Sequence, residues 1–548
     1  MKWSRASLSA LPFLATGGLA AYDVLQRRHT LLRNFPLIGH VRYLLEAIGP
    51  ELRQYIVTSN DEERPFSRDQ RRWVYASAKG ENNYFGFGTD NDVENLTGYA
   101  VVKQRTFMAV VPPAGIHEGE QVWVPSAKVL GGPRGRAKAF RPNSVVNTSA
   151  MSYGSLSGPA VEAINRGVAV CDAMQNTGEG GLSRFHQHGG DLIFQIGTAY
   201  FGCRDEQGRF DLARLKDLVA SAPVRALEVK LSQGAKPGLG GVLPGAKVTG
   251  EIARARAVPE GETCISPSRH SAFHDVDSML DWVEMLAAET GLPVGIKSAV
   301  GVDLFWERLI HEMRTTDRGV DFITVDGGEG GTGAAPLIFS DHVALPFRLG
   351  FSRVYSMFAR AGLTDRVTFI GSGKLGLPDN AMVAFALGCD MVNVGREAML
   401  SVGCIQAQRC HTDRCPTGVA TQDPWLTRGL DPTLKSVRVA NYLRTLRRDL
   451  VKVSEATGVY HPGLVTTDDI ELVDGTRSGR TLREVYGYEP GWGLPSEADR
   501  RALYALLDHE DRSDGDGSAH RAAEDEPASP EGHLAAPQGQ RWSTSARS

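Results

Sequence analysis

The chain has 548 residues, of which 42% are hydrophobic and 23% are charged. This length predicts one large domain with additions, or two to three domains, because a single core rarely grows so large. The 60 basic and 64 acidic residues give a net charge of −4. No basic stripe carries interleaved aromatic residues, which argues against a nucleic-acid-binding protein. The 61 glycines indicate many tight turns or close approaches of the backbone to a ligand.

The amino-terminal residues alternate between basic and apolar segments. Residues 6–22, ASLSALPFLATGGLAAY, are mostly apolar and have basic residues on both sides. The run is shorter than the about 20 residues of a spanning helix. We interpret residues 1–30 as a possible membrane anchor, with a surface-lying helix, a cleaved signal and a plain terminal helix as alternatives. Basic residues after the run, among them Arg33, would keep the rest of the chain at the inner, cytoplasmic face of the cell membrane.

Residues 31–139 form a flanking region, and residues 140–430 then repeat one pattern. Short β-branched and apolar runs end in glycine, serine or polar clusters, and amphipathic stretches follow them. Eight such units predict an α/β fold, a (β/α)₈ TIM barrel, whose active site lies in the loops after the strands. An open doubly wound sheet is the alternative that this alternation permits. The eight runs are SVVNTSAMSYGS, AVCDAMQNTGEGG, LIFQIGTAYFG, ALEVKLSQGAKPG, PVGIKSAVG, DFITVDGGEGGTG, VTFIGSGKLG and DMVNVGREAM.

The last two units carry glycine-rich loops, GSGKLG at 371–376 and VGREA at 394–398. In barrels, a phosphate site is often built from the loops after the seventh and eighth strands. Gly371, Gly373 and Gly395 would let the backbone approach an oxyanion, and Arg396 would add a charged fork. Either loop alone is typical of an ordinary turn. The two together predict a phosphorylated cofactor.

Two polar residues close the third and fourth strands of this assignment. Gln195 ends the third run, and Lys230 ends the fourth. Both side chains would then point over the barrel mouth, where a flavin ring takes hydrogen bonds. For each residue the alternative is a solvated strand end.

Three of the seven cysteines crowd into residues 404–415. Five residues separate Cys404 from Cys410, four separate Cys410 from Cys415, and a proline follows. Structural zinc usually takes four ligands from closer pairs, and His411 is the only nearby fourth candidate. Thiolates in a tight loop suit an iron–sulfur centre, while zinc and free thiols stay open as alternatives.

The remaining sequence is less informative. Four further cysteines are scattered singly, which argues against a disulfide framework and predicts a reducing, cytoplasmic compartment. Residues 431–500 are predicted to form a helical extension. Residues 501–548 are polar, charged and rich in serine, glycine and proline, so they are predicted to form a disordered tail.

Six blocks of the chain, in order, resemble the FMN-binding synthase domain of glutamate synthases over about residues 140 to 430. The resemblance extends to stand-alone relatives that lack the glutaminase domain. It implies an FMN site, three thiolates for a [3Fe–4S] cluster at Cys404, Cys410 and Cys415, and a TIM barrel. The blocks are SAMSYGSLS, NTGEGG, VKLSQGAKPGLGGVLPG, ISPSRH, GGEGGTGAAP and GCIQAQRCHTDRCPTGVATQD. The residues implied or predicted to hold FMN are Ala150, Met151, Ser152, Asn176, Gln195, Lys230, Lys297, Gly330, Gly331, Gly371, Gly373, Gly395 and Arg396.

The resemblance also implies a reaction, in which hydride from reduced FMN converts 2-iminoglutarate, formed from 2-oxoglutarate and ammonia, into L-glutamate. Glu179 and Lys236 match residues that line the family's substrate site. A carboxylate there exchanges protons with the amine, and an ammonium group holds the keto-acid carboxylate. Their alternatives are a carboxylate at a helix start for Glu179 and a solvated loop charge for Lys236.

The chain departs from the family where the substrate would lie. The family commonly reads KPGEGGQLPG, and this chain reads KPGLGGVLPG, so Leu239 and Val242 replace a carboxylate and an amide. Arg269 and His270 stand where the family shows prolines and histidines. Arg269 is expected to compensate by gripping a diacid in two places, and Val242 to weaken the affinity for 2-oxoglutarate.

Three functions follow from these patterns. The first is an FMN and iron–sulfur oxidoreductase that makes glutamate, or an N-substituted glutamate, from an externally supplied amine. The second is a flavin oxidoreductase of the same scaffold with another substrate, and the third is a membrane-tethered electron-transfer protein. No G-x-G-x-x-G fingerprint follows a strand and opens a helix, so the electron donor is expected to be a ferredoxin or a separate NAD(P)H-oxidising subunit.

Overall fold

The computed structural model describes residues 5–513, apart from 27–29, 58–61, 90, 92, 94–95, 108–121 and 476–477. Its centre is a closed barrel of eight strands, each parallel to its neighbours. The last strand pairs with the first, which confirms the (β/α)₈ prediction and excludes the open sheet. The strands are β1 (Val146–Thr148), β2 (Met174–Asn176), β3 (Asp191–Ile196), β4 (Val224–Lys230), β5 (Val294–Ser298), β6 (Phe322–Asp326), β7 (Thr368–Ser372) and β8 (Met391–Val394).

The strands do not alternate between buried and exposed residues, because both of their faces are covered. Every residue of β5, β6, β7 and β8 is buried, as expected when helices pack outside a parallel sheet and side chains fill the inside. Longer outer helices such as Val276–Thr290 and Leu304–Thr315 are amphipathic and bury one face, whereas Pro378–Ala386 buries six successive residues. The outer helices are Gly158–Val170, Leu212–Ser221, Gly250–Arg256, Val276–Thr290, Leu304–Thr315, Leu337–His342, Phe347–Arg360, Pro378–Ala386, Arg396–Ser401, Pro424–Thr427 and Pro432–Ala456.

The amino-terminal end of the barrel is closed by the flanking region. Leu130 and Phe140 exchange two backbone hydrogen bonds of 2.8 and 3.1 Å. Leu130 is fully buried inside the barrel among Met174, Ile193 and Phe322. The flanking region is therefore part of the barrel core, because it fills the end that faces away from the strand carboxyl termini.

The two ends of the described chain meet beside the barrel. Strand Tyr99–Val102 pairs antiparallel with Ile470–Val473, which pairs in turn with Gly479–Thr481. Helix Glu497–Ser513 follows, and Leu503 on it is fully buried. The predicted tail therefore begins with a packed helix up to residue 513, because a few apolar residues suffice to dock a polar helix. Residues 514–548 of the predicted tail lie outside the described residues.

Among the described residues, four α-helices precede the barrel: Arg5–Leu25, Thr30–Asn34, Gly39–Leu52 and Arg68–Lys79. In the part of the chain that the structure describes, no helix has both the length and the apolar character needed to cross a membrane. The predicted membrane-spanning helix is not found there. The reason is the composition, since glycines, polar residues and a proline interrupt the apolar run within residues 6–22.

Three buried histidines predict a loss of stability in weak acid. Burial lowers the pKa of His186 to about 3 and the pKa values of His270 and His461 to about 4, against about 6.5 in an unfolded chain. Below pH 6.5 the unfolded chain takes up protons that the folded one does not. Each histidine should therefore lower the free energy of unfolding by about 1.4 kcal/mol per pH unit between these pKa values.

Urea unfolding at pH 7.0, 6.0 and 5.0 measures this slope. His461 donates from Nε2 to the Pro125 carbonyl oxygen at 2.9 Å and accepts from the Gly463 amide at 3.1 Å. His461→Gln should therefore reduce the slope. His274→Gln, at an exposed position, is the matched control and should leave the slope unchanged. A pH-independent free energy of unfolding would contradict the neutral state of the buried rings.

Candidate active site at the barrel mouth

The side chains at the strand carboxyl ends gather around one mouth. Asn176 ends β2, Gln195 is next to last in β3, Lys230 ends β4, and Lys297 is next to last in β5. All four are buried. These four predicted residues are therefore brought together, as expected when parallel strands end at the same rim.

A carboxylate that the sequence did not single out organises two of them. Glu228 is fully buried in β4. Its Oε1 accepts from Asn176 Nδ2 at 2.8 Å and from Gln195 Nε2 at 2.7 Å, and its Oε2 accepts from Thr324 Oγ1 at 2.6 Å. Each amide thus turns its nitrogen toward Glu228, which fixes its orientation under the mouth. In the sequence, only its position two residues before Lys230 indicates that Glu228 lies on the same face of β4 as Lys230.

Glu179 and Lys230 form the charged pair of the mouth. Lys230 Nζ donates to Glu179 Oε1 and to Gln233 Oε1, both at 2.7 Å. Burial favours protonation of Glu179, but the charge and hydrogen bond of Lys230 outweigh it and hold the pKa of this carboxyl below its usual value. Glu179 is therefore ionised at neutral pH. The contact with Lys230 explains the position of Glu179, without the alternative role of a carboxylate at a helix start.

Lys236 lies beside this pair. Its Nζ donates to the Gly240 carbonyl oxygen at 2.7 Å, and its side chain is buried. Burial and the charge of Lys230 lower the pKa of the Lys236 ammonium. Gly241, which follows Gly240, lies close to Glu179, since a Cβ added to it would lie 2.6 Å from Glu179 Oε1. Lys236 is thus a buried cation next to the mouth, and not a solvated loop charge.

Two of the altered positions, Val242 and Arg269, are more exposed than the residues of the mouth. Val242 is 41% exposed and stands in a short ribbon in which Val242–Leu243 pairs with Cys264–Ile265. Arg269 is exposed, and its side chain makes no hydrogen bond or ion pair with the described residues. The buried neighbour His270 contacts the site instead, since its Nε2 donates to the Lys230 carbonyl oxygen at 2.9 Å. The structure does not join Arg269 to Glu179 or Lys236.

The glycine-rich loops of β7 and β8 play different parts. A Cβ at Gly371 would lie 2.7 Å from Leu375 and 2.9 Å from Cys389, so packing explains this glycine. Gly373 has a φ of 122°, and a Cβ added to it would lie 3.1 Å from the Gly327 backbone. A Cβ added to Gly395 would have Ser149 Cβ as its nearest neighbour, at 3.5 Å. A Cβ at Gly395 would thus make only an ordinary contact, so packing does not require a glycine at the start of helix Arg396–Ser401.

The Arg396 side chain extends toward the loop after β6. Its Nη2 donates to the Glu329 carbonyl oxygen. A Cβ at Gly331 would lie 2.5 Å from Arg396 Cδ, so the glycine is required for the arginine to pass. Gly330 lies in the same loop and has the Gly327 carbonyl oxygen at 3.2 Å from its Cβ position.

The loop after β1 completes the rim. Ala150, Met151 and Ser152 follow this strand directly. A Cβ at Gly178 would lie 2.6 Å from the Ser152 backbone nitrogen, so the β1 and β2 loops touch. Within the described residues, the buried Asn393 Oδ1 at the end of β8 has no hydrogen-bond partner. This oxygen is therefore able to accept a hydrogen bond from a ligand at the rim.

The three clustered cysteines stay close in the fold and form no disulfide. Burial is the main reason that the pKa of the Cys404 thiol rises to about 12, and Cys410 and Cys415 add to the rise. Gln406 and Gln408, between the first two cysteines, have left-handed φ values of 59° and 55°. The described residues contain no group of three or more histidine, cysteine or acidic side chains close enough to hold a single metal ion.

A buried lysine joins the cysteine loop to the loop after β4. Lys247 Nζ donates to the carbonyl oxygens of Cys410 at 3.0 Å and Ala420 at 2.9 Å. It is 2% exposed and follows the GLGGVLPG stretch by two residues. Burial lowers the pKa of Lys247, against the opposing effect of Asp413 and the loop thiols. The sequence did not predict this bridge, since Lys247 has no distinctive motif of its own.

The chain is similar to several known proteins. The family model of the conserved region in glutamate synthase matches residues 133–460. A glutamate synthase large subunit-like protein, YerD, of Bacillus subtilis is 38% identical over 484 residues, which cover 83% of this chain and 91% of that protein. The archaeal glutamate synthase [NADPH] of Methanocaldococcus jannaschii is 34% identical over 317 residues.

The match to the archaeal enzyme covers 56% of this chain and 58% of that protein, so the chain spans less than two thirds of that relative. Among solved structures, a mutant flavocytochrome b2 with pyruvate bound aligns with a TM-score of 0.41 at 14% identity, covering 93% of this chain and 98% of that one. The matches to the family model and to the Bacillus protein decide the assignment: the chain belongs to the glutamate synthase family of oxidoreductases.

Proposed function

We propose that this protein is an FMN and iron–sulfur oxidoreductase that forms L-glutamate, or an N-substituted glutamate, from 2-oxoglutarate and an externally supplied amine. The observation that carries the proposal is the mouth itself. The Glu179–Lys230 pair and the buried cation Lys236 lie together above amides that Glu228 orients. One acid–base carboxylate and two ammonium groups suit a keto acid and an amine.

The residues of the rim fit FMN by their chemistry. Arg396 and the backbone at Gly395 suit the phosphate, and the oriented amides of Asn176 and Gln195 suit the polar edge of a flavin ring. The unsatisfied Asn393 Oδ1 offers a further acceptor. Bound FMN would supply the hydride, while the protein binds, orients and excludes water.

This chain's own groups would carry the proton chemistry. Glu179, ionised because Lys230 lowers its pKa, would hold the incoming ammonium ion by its negative charge and relay protons as the amine adds to the keto carbon. Lys236 would hold a carboxylate of the keto acid and offset the negative charge that develops on the carbonyl oxygen. Lys297, with its Nζ 3.4 Å from Asp326 Oδ2, would add positive charge at the fifth strand.

The cysteine loop fits an iron–sulfur cluster better than a single ion. Cys410 and Cys415 raise the pKa of Cys404, and Cys415 raises that of Cys410, which indicates that the three thiols lie near one another. A multi-iron cluster spreads its thiolate ligands over several metals. Cys404, Cys410 and Cys415 would hold the [3Fe–4S] cluster, which would accept electrons from a ferredoxin or an NAD(P)H-oxidising subunit.

The decisive experiment follows the flavin absorbance of the anaerobically reduced protein. Mixing with 2-oxoglutarate and ammonium should reoxidise the flavin and produce glutamate. Methylamine tested in the same way identifies an N-substituted product. Reoxidation by neither amine, in a protein that holds FMN, would favour the second candidate, a flavin oxidoreductase with a different substrate. The half-exposed Leu239 and Val242, which replace polar family residues, are the observation in favour of that candidate.

We predict that Val242→Gln tightens binding of 2-oxoglutarate, because it restores a donor and an acceptor near the mouth. The expected gain is about tenfold, the effect of about 1.4 kcal/mol. Arg269→Ala is the paired test of which cation anchors the diacid. A large loss assigns the anchoring to Arg269, whereas an unchanged affinity assigns it to Lys236. Titration of the flavin absorbance with 2-oxoglutarate measures all three proteins, and weaker binding by Val242→Gln would contradict the prediction.

A further inference from the structure

We infer that Lys374 and Arg396 form a two-cation clamp for the phosphate of the flavin, and that Phe66 holds both cations in position. We call these three residues the phosphate clamp. The inference rests on the proposed FMN site and adds two residues to it. Phe66 lies outside residues 133–460, which the family model matches, so the clamp joins the flanking region to two barrel loops.

Phe66 presents its ring to both cations. Lys374 Nζ and the guanidinium carbon of Arg396 each lie 5.1 Å from the centroid of the ring. Phe66 is 1% exposed, so the cation–π contacts are largely desolvated, and such contacts are then at their strongest. The ring is thus a common support for one cation from the β7 loop and one from the β8 loop.

The backbone of Phe66 is fixed by the cysteine loop. The Phe66 amide donates to Gln406 Oε1 at 3.0 Å, and Gln406 Nε2 donates to the Phe66 carbonyl oxygen at 3.0 Å. Gln406 Nε2 also donates to Glu63 Oε1 at 2.9 Å, and Glu63 pairs with Arg71. Because both backbone groups of Phe66 are held by one amide side chain, the ring has little freedom to move away from the two cations.

Lys374 adopts a backbone conformation that lysine rarely takes. Its φ is 58°, in the left-handed region that glycine tolerates far better. A non-glycine residue persists there when the surroundings determine its position, and such residues cluster at ligand sites. The conformation aims the side chain at the ring of Phe66, where Arg396 already lies. The role of Lys374 as the second cation therefore explains why a lysine occupies this unfavourable conformation.

The two cations lack a carboxylate partner of their own. Neither Lys374 nor Arg396 forms an ion pair in the part of the chain that the structure describes. Burial lowers the pKa of both side chains, and the charge of Arg396 lowers that of Lys374 further. The nearby carboxylates are engaged elsewhere: Glu397 accepts from the Gly376 amide, Asp326 pairs with Lys297, and Glu329 accepts from the Phe347 amide.

The carboxylates near Lys374 and Arg396 offset part of the repulsion between the two cations, but neither cation has a direct ion pair, so an anion bound between them would be favourable. A phosphate monoester carries close to two negative charges at neutral pH, which matches the two cations. The loops after the seventh and eighth strands are also where barrels commonly hold phosphate. The ligand chemistry that this clamp fits is therefore a dianionic phosphate, here that of FMN.

The test compares FMN with riboflavin, which has the same ring system but no phosphate. The full-length protein, stripped of flavin, is titrated with each compound while flavin fluorescence is followed. Lys374→Met should weaken FMN binding about tenfold, and Phe66→Leu about fivefold. Riboflavin binding should stay within about twofold in both variants. Phe66→Tyr keeps the aromatic face and should retain the parent ratio of FMN to riboflavin affinity.

Phe358→Leu is the control for the loss of a buried aromatic ring. Phe358 is fully buried and packs on Phe369, away from the mouth, so this variant should lose stability without changing the affinity ratio. If Phe66→Leu does not fold, the result for Lys374→Met decides the test. An unchanged ratio in Lys374→Met, in a protein that binds both flavins, overturns the clamp alone. A parent protein that binds neither flavin overturns the proposed FMN site together with the clamp.

Discussion

Replacing Cys410 with serine is expected to abolish iron binding and to leave most of the FMN in place. A serine hydroxyl stays protonated at neutral pH and is a poor substitute for a thiolate ligand. The cluster would then keep only Cys404 and Cys415. The proposed contacts to FMN come from the barrel rim, which does not include the Cys410 side chain. Iron and flavin analysis of anaerobically purified protein should give about three irons per FMN in the parent and almost none in the variant.

Cys203→Ser is the matched control. Cys203 is fully buried outside the loop, and its replacement should leave the iron content unchanged. Two results would rule the cluster out. The first is a parent protein that carries zinc and no iron, and the second is a Cys410→Ser variant with the same iron content as the parent.

Replacing Lys128 with methionine is expected to lower the free energy of unfolding by about 3–5 kcal/mol, the usual cost of breaking a buried ion pair from one side. Lys128 and Asp390 pair at 3.0 Å with side chains 6% and 5% exposed. Lys128 Nζ also donates to the carbonyl oxygens of Thr364 at 2.9 Å and Val367 at 3.0 Å. The variant leaves a carboxylate and two carbonyl groups without this cation at the closed end of the barrel.

The deficit should grow as the pH rises. Burial already raises the pKa of Asp390 even with Lys128 present, and removing the cation raises it further. Below the unfolded pKa of about 3.9, Asp390 is neutral in both states and the variant suffers least. As the pH rises, the unfolded chain ionises first, so the folded variant loses stability relative to the parent until Asp390 ionises in the folded state as well.

Urea unfolding of parent and variant at pH 4.5 and pH 7.5 measures the effect. Lys128→Met combined with Asp390→Asn should recover part of the loss, because the amide needs no counter-ion. The rescue should be incomplete, since the carbonyl oxygens of Thr364 and Val367 still lose the Lys128 donor. A loss in the single variant that is the same at both pH values would place its origin in packing and not in charge.

The barrel could be predicted from the sequence because its strands carry two signals. Each strand is a short run buried on both faces, and each ends in glycine or polar residues at the rim. Lys230 and Gln195 could therefore be assigned to the mouth from their positions at the ends of such runs. The glycine-rich loops after β7 and β8 are recognisable in the same way, although Gly371 serves packing.

Contacts between distant parts of the chain could not be predicted in this way. Gln406 holds Phe66, and Lys247 reaches the carbonyl oxygen of Cys410. Periodicity describes which face of an element is buried, but not which loop lies opposite. Glu228 shows a related limit, since a single acid in a strand gives no sign that three donors converge on it. The predictions of a membrane helix and of a tail from residue 501 rested on local composition, which does not show what a segment packs against.

The pairing of Tyr99–Val102 with Ile470–Val473 has a consequence for how the protein is made. On the ribosome, the flanking region emerges long before the strand it joins, and β1 emerges before its partner β8. Neither the barrel nor the flanking sheet can close until most of the chain has been translated. Contacts so far apart in sequence form slowly, so Leu130 and other core residues stay open to solvent meanwhile. Recombinant yield should therefore rise with slower translation or with added chaperones, which shield such surfaces during synthesis.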